Sequence, residues 1–222
     1  MLRVFLVGIV FGSFLDCLAF RLSFHLPLRG RSVCENCGHV LSFLDLIPIF
    51  SFLFLKGKCR YCGKKIRISL FLGECLFGIL FVIFFYYWHD RLFFLLILFF
   101  LSLCDLYAMI VPDLGLIVFS APLFFFPETR LLRGFLVFAT FFILKKGMDL
   151  AYGKECFGMG DVYLIGEMGW YLNLRELCFV LIVSCLLSLL FIKKGKELPF
   201  VPFLSIGFLL LLISKGLSSS LI

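Results

Sequence analysis

"LFFLLILFFLSLCDLYAMIVPD" (residues 92–113) decides what kind of chain this is. From Leu92 to Val111 it is predominantly apolar, and about 20 such residues are what a helix needs to cross the hydrocarbon core of a bilayer. A single ionisable group, Asp105, interrupts the run. Carboxylates are costly at membrane depth, and those that occur there are candidates for function by default. The run stops at Pro112, which cannot sit in a helix interior. Asp113 after it is expected to act as the N-cap of the next helix.

The rest of the chain has the same character. Of 222 residues, 63% are hydrophobic, 32 are phenylalanine and only 16% are charged. A soluble domain is about half apolar and about a quarter charged, so a water-soluble fold is excluded. Apolar runs fall at roughly 4–20, 70–88, 92–111, 114–127, 131–144, 162–173, 176–192 and 200–213. The fold class expected is an all-α polytopic membrane protein with about eight (six to eight) transmembrane helices. Val4–Phe20 lacks a basic leader and a small-residue exit and carries Asp16, so it reads as the first membrane helix, not a cleaved signal. Leu41–Leu55 is apolar but short and broken by Asp45 and Pro48. It is expected to lie in the interface or fold back.

The formal charge of +7 is distributed between apolar runs, which assigns it to topology, with no nucleic-acid partner expected. With eight spans and an external N-terminus, one face carries 15 Lys and Arg and the other 6. Excess positive charge marks the cytoplasmic side. The loop 21–69, between the first two spans, is therefore expected in the cytoplasm, with its basic side chains near anionic lipid.

That loop contains "CENC" (34–37) and "CRYC" (59–62), two C-x2-C pairs separated by 21 residues. Each pair places two sulfurs on one tight turn, and two pairs supply the tetrahedral S4 set that zinc prefers. Gly38 and Gly63 follow the pairs and let the chain turn closely around sulfur. Cys34, Cys37, Cys59 and Cys62 are thus the expected ligands of a structural zinc, since four thiolates leave no open position for water. The other six cysteines (17, 75, 104, 156, 178 and 185) lie in or beside apolar runs, where cysteine acts as a small hydrophobe.

Asp161, in "FGMGDVYLIGEMGWYL" (157–172), is the second carboxylate of interest. Topology places it at the same membrane face as Asp105. Two nearby carboxyls in a partly dry site cannot both ionise easily and tend to share a proton. That state suits hydrolysis of a peptide bond: the carboxylate draws a proton from water and the acid polarises the carbonyl. Gly158 and Gly160 would let a substrate backbone approach and let the loop take positive φ. The plainer alternative is that Asp161 caps a helix and Asp105 reaches to the interface. Asp16, Glu74 and Asp149 are further candidates for buried polar partners.

Five segments in order resemble the type IV prepilin peptidases, GxGD-type aspartic proteases of the bacterial inner membrane. They are "GSFLDCLAFRL" (12–22), "SVCENCGHVLSFLDLIPIFSFLFLKGKCRYCGKKI" (32–66), "CDLYAMIVPD" (104–113), "FGMGDVYL" (157–164) and "LPFVPFLSIG" (198–207). The resemblance implies that Asp105 and Asp161 are the catalytic pair, with Gly158 and Gly160 in the catalytic loop. It implies a zinc-binding loop within an N-terminal region 1–90, and a membrane-embedded peptidase core over 91–222. It further implies a multi-pass inner-membrane enzyme whose active site faces the cytoplasm. Such an enzyme cuts type IV prepilins or pseudopilins, then methylates the new N-terminus with S-adenosylmethionine. No G-x-G-x-x-G supports that second activity independently. Departures from the family pattern are Asp16 for Asn, the extra "SFH" at 23–25, and Tyr163 for Lys. A transporter, or an inactive scaffold carrying a zinc loop, are the competing readings; a transporter would show an inverted repeat, and none is visible.

Overall fold

A computed structural model describes residues 1–121, 131–155, 157–191 and 197–219. The end of the expected run 114–127, Cys156 and the basic residues Lys193, Lys194 and Lys196 fall outside these. The helices are α1 (Leu2–Ser23), α2 (Phe50–Phe54), α3 (Ile68–Tyr87), α4 (Leu92–Ala108), α5 (Asp113–Ser120), α6 (Leu131–Tyr152), α7 (Met159–Tyr171), α8 (Leu174–Leu189) and α9 (Val201–Ser219). No β-strand occurs among the described residues. Each expected apolar run carries one helix, so the all-helical class holds. By length and composition only α1 and α3, among the described residues, are long and apolar enough to cross a membrane. Helix α4 is apolar but, at 17 residues, spans about 25 Å against a core of about 30 Å.

The chain divides into two compact units, Met1–Phe99 and Phe100–Ile222. In the first, α1 lies along α3, and glycine sets the approach. A Cβ on Gly8 would lie 2.7 Å from the Phe81 Cβ, and one on Gly78 2.6 Å from Ile9 Cγ2. Where lipid removes the hydrophobic drive between helices, such small residues let backbones pack closely and gain dispersion energy.

In the second unit α6 packs on α7 in the same way. Gly134 faces the Trp170 ring, and a Cβ on Gly166 would meet the Phe138 Cβ at 2.8 Å. Helices α4, α8 and α9 are joined by hydroxyls. Ser102 and Ser205 hydrogen-bond at 2.8 Å, and the Ser184 hydroxyl donates to the carbonyls of Val180 and Phe203. Rows of exposed apolar side chains, among them Ile79, Leu136, Ile182 and Leu186, cover the remaining helix faces. Water would not tolerate so much apolar surface on a monomer; a bilayer would.

Candidate functional sites

The cysteine loop folds as two matching knuckles. In the first, Cys34 N–H donates to the His39 carbonyl and Gly38 N–H to the Cys34 carbonyl, each at 2.9 Å; in the second, Cys59 pairs with Lys64 and Gly63 with Cys59. Isolated bridges, Val33 with Val40 and Lys58 with Lys65, close the two turns. Gly38 and Gly63 take φ of +70° and +68°, the left-handed conformation a side chain would strain. All four sulfurs fall within 4.8 Å of one another. A tetrahedral zinc with Zn–S of about 2.3 Å needs them about 3.8 Å apart, so a small contraction completes the site. The Cys34 thiol is lowered to about 7, first by the Cys37 backbone N–H. Cys62 is raised to about 11: the Lys64 N–H is the largest influence and opposes the rise, which burial and the other thiols cause. A bound metal would draw the protons from all four thiols, and the donor chemistry fits zinc.

Asp45, between the knuckles, organises the loop, a role that sequence reading did not give it. Its Oδ2 accepts from the Ser42 hydroxyl (2.7 Å), the Ser42 N–H (3.0 Å) and the Tyr61 hydroxyl (3.1 Å). Its Oδ1 pairs with Arg60 Nε at 2.8 Å. The Ser42 hydroxyl first, then the Ser42 N–H, Tyr61 and Arg60, hold its carboxyl below the usual range against the effect of burial. Tyr61 also packs against His39 of the first knuckle, the rings tilted by 32° with centroids 3.6 Å apart. The 41–55 segment forms a 3-10 turn (Phe43–Leu46) and α2, with Phe43 84% and Phe54 83% exposed.

In the second unit two carboxylates stand on different helices, Asp105 on α4 and Asp161 on α7, and the turn that bears Asp161 closes on Val111, six residues beyond Asp105. Asp105, near the end of α4, is 5% exposed. Its Oδ2 accepts the Val201 N–H at 2.8 Å, and the Phe200 N–H also bonds to it. These amides open α9, where helix N–H groups lack internal partners and carry the positive end of the dipole. The "PFVP" segment (199–202) thus anchors Asp105, with Pro202 at a position where a missing N–H costs nothing. Asp161 lies in the first turn of α7.

Both glycines of the motif differ from expectation. Gly158 has φ −67° and caps α7, and Gly160 lies inside the helix, so neither uses positive φ. Gly160 is required for space instead: a Cβ there would sit 2.5 Å from Val111 Cβ. A Cβ on Gly158 would meet only the Asp161 carboxylate, at 3.2 Å. Asp113 is the first residue of α5, with Pro112 as its N-cap, so it serves the helix dipole and not the cap. Tyr163 stacks on Phe138 of α6. Asp149 pairs with the buried Lys145 at 2.8 Å, and Lys145 also holds Glu155 at 2.9 Å. This ties the end of α6 to the segment leading into α7. Glu167, an acid inside the 162–173 run, has a buried Oε2 with no hydrogen-bond partner among the described residues; its place in an apolar run was the signal.

An apolar helical protein with four cysteines placed where they could hold a metal ion and carboxylates set within its apolar helices fits the class of membrane-bound enzymes. Residues 6–88 match the family described as the bacterial peptidase A24 N-terminal domain. The prepilin leader peptidase/N-methyltransferase of Bacillus subtilis (strain 168) is 30% identical over 93% of this chain and 91% of its own length. The type 4 prepilin-like proteins leader peptide-processing enzyme of Escherichia coli O78:H11 is 30% identical over 90% and 88%. The Vibrio cholerae prepilin leader peptidase/N-methyltransferase is 26% identical over 82% and 81%. No solved structure matches. The chain belongs to the prepilin leader peptidase/N-methyltransferase family.

Proposed function

We propose that this protein cuts the leader from type IV prepilins or pseudopilins at the cytoplasmic face of the inner membrane, then methylates the exposed N-terminus. Asp105 and Asp161 carry the hydrolysis. Their mutual repulsion in a site largely closed to water favours one shared proton. The ionised partner takes a proton from the attacking water while the protonated partner donates to the scissile carbonyl, and the roles reverse as the amine leaves. The α9 amides hold Asp105 in orientation through the cycle. Gly160 lets α7 come close enough to bring Asp161 to it.

Zinc on Cys34, Cys37, Cys59 and Cys62 is structural. The 21–69 loop lies on the cytoplasmic side, with Phe43 and Phe54 resting in the lipid interface. S-adenosylmethionine supplies the methyl group when bound.

The observation that supports the proposal is the close approach at Gly160 of the turn bearing Asp161 to Val111, six residues beyond the buried Asp105. Its test is prepilin cleavage in detergent by Asp105→Asn, Asp161→Asn and the double variant at matched protein levels. Residues working as one unit are strongly non-additive, so all three should lose cleavage to nearly the same extent. Turnover retained in Asp161→Asn would end this reading.

A further inference from the structure

Lys145, on α6, is a cation held away from water, with 3% of its side chain exposed. Its ammonium bonds two different parts of the chain. It donates to Asp149 Oδ2 at 2.8 Å, one turn on in the same helix. It also donates to Glu155 Oε1 at 2.9 Å, ten residues on and past the end of α6. Asp149 alone would neutralise Lys145 within the helix. The bond to Glu155 fixes where the chain goes next. Beyond Tyr152 the backbone turns at Gly153, with φ +66°, and the Gly153 N–H bonds the Asp149 carbonyl at 2.9 Å. Glu155 then folds back to share the Lys145 ammonium. Exposed ion pairs are weak in part because both side chains are mobile. This ammonium is buried and cannot follow a carboxylate into water, so Glu155, itself 69% exposed, is the partner that is held.

Glu155 lies three residues before Gly158, the N-cap of α7, and six before Asp161. Between them the Phe157 ring meets the Phe200 ring edge to face, centroids 6.0 Å apart. Phe200 also gives one of the two backbone N–H groups that bond Asp105. The entry to α7 is thus held on one side by Lys145 and on the other by the segment that orients Asp105. We propose that Lys145 is a positioning residue for the hydrolysis: through Glu155 it sets the start of α7, and so the placing of Asp161 relative to Asp105. The inference rests on those two aspartates carrying the reaction. Without the ion pair the first turn of α7 is held from the Phe200 side only. A misplacement of about 1 Å at a reacting group can cost about 10²-fold in rate. A turn still held from one side moves less, and a loss of about tenfold in kcat is expected.

The test is initial rates of prepilin cleavage by the full-length protein in detergent over a range of substrate concentrations, which give kcat and KM separately. Glu155→Gln should lower kcat about tenfold with KM and the melting temperature unchanged, because the substituted side chain is largely exposed. Lys145→Met should lower kcat to the same extent, and the double variant no further, since two residues acting through one contact are not additive. Lys145→Arg, whose fork can hold both carboxylates, should restore most of the rate. A merely structural role would lower the melting temperature and leave kcat per folded molecule unchanged. Wild-type kcat in Glu155→Gln, with Asp161→Asn inactive, would overturn the positioning role and leave the aspartate pair standing. Losses that multiply in the double variant would overturn it as well. Turnover retained in Asp161→Asn would remove the aspartate pair, and the positioning role with it. Glu155→Gln and Lys145→Arg decide the question if Lys145→Met does not fold.

Discussion

Gly160→Ala offers a demanding test of how the second unit is built. The new methyl carbon would lie 2.5 Å from Val111 Cβ and 2.8 Å from its Cγ2. Carbon atoms rest at about 3.5–4.0 Å, so α7 or the 109–112 segment must move by about 1 Å. Overpacking of this kind costs about 1–3 kcal/mol. The displaced turn is the one that carries Asp161, and a misplacement of about 1 Å at a reacting group can cost about 10²-fold in rate. Gly158→Ala is the control, since its φ suits any residue and its Cβ meets only the end of the Asp161 side chain. It should keep wild-type stability within about 0.5 kcal/mol while slowing cleavage. The assays are thermal unfolding in detergent and initial rates on a prepilin substrate. Adding Val111→Gly to Gly160→Ala removes the obstructing carbon and should recover part of the loss. Wild-type stability and rate in Gly160→Ala would refute the packing argument, and a larger loss of stability in Gly158→Ala would invert it.

The other predictions concern the loop and the topology. Purified protein should contain about one zinc per chain, lost together with much of the loop's stability in a Cys34→Ser/Cys59→Ser double variant, because binding to a four-thiolate site contributes folding free energy; metal analysis and limited proteolysis report both. Asp45→Ala should weaken zinc retention against a chelator by about 1–3 kcal/mol, since it leaves Ser42 N–H and Arg60 without their acceptor; unchanged retention would deny Asp45 its organising role. In intact cells a thiol at Lys64→Cys or Lys154→Cys should be protected from an impermeant reagent and one at Asp90→Cys labelled; free labelling at position 64 would reverse the orientation.

How much of this was visible in the residues depends on the range of the interaction involved. Among the described residues a helix falls in each apolar run, because a backbone in an apolar medium must satisfy its own hydrogen bonds and a helix does so locally. The cysteine knuckles were equally legible: a C-x2-C pair and the glycine after it are a turn written in five residues. The candidate aspartates stood out because a carboxylate in a greasy run is conspicuous wherever the chain goes. What only the tertiary structure decided are the contacts made across long stretches of sequence. Val201 reaches Asp105 across 96 residues, Val111 is what makes a glycine of residue 160, and Asp45 and Glu74 fasten separate parts of one loop and helix. Helices that are apolar all round have no polar face to announce their neighbours. Which side chains meet is then settled by close packing of small against large residues, and that shape exists only once the chain is folded.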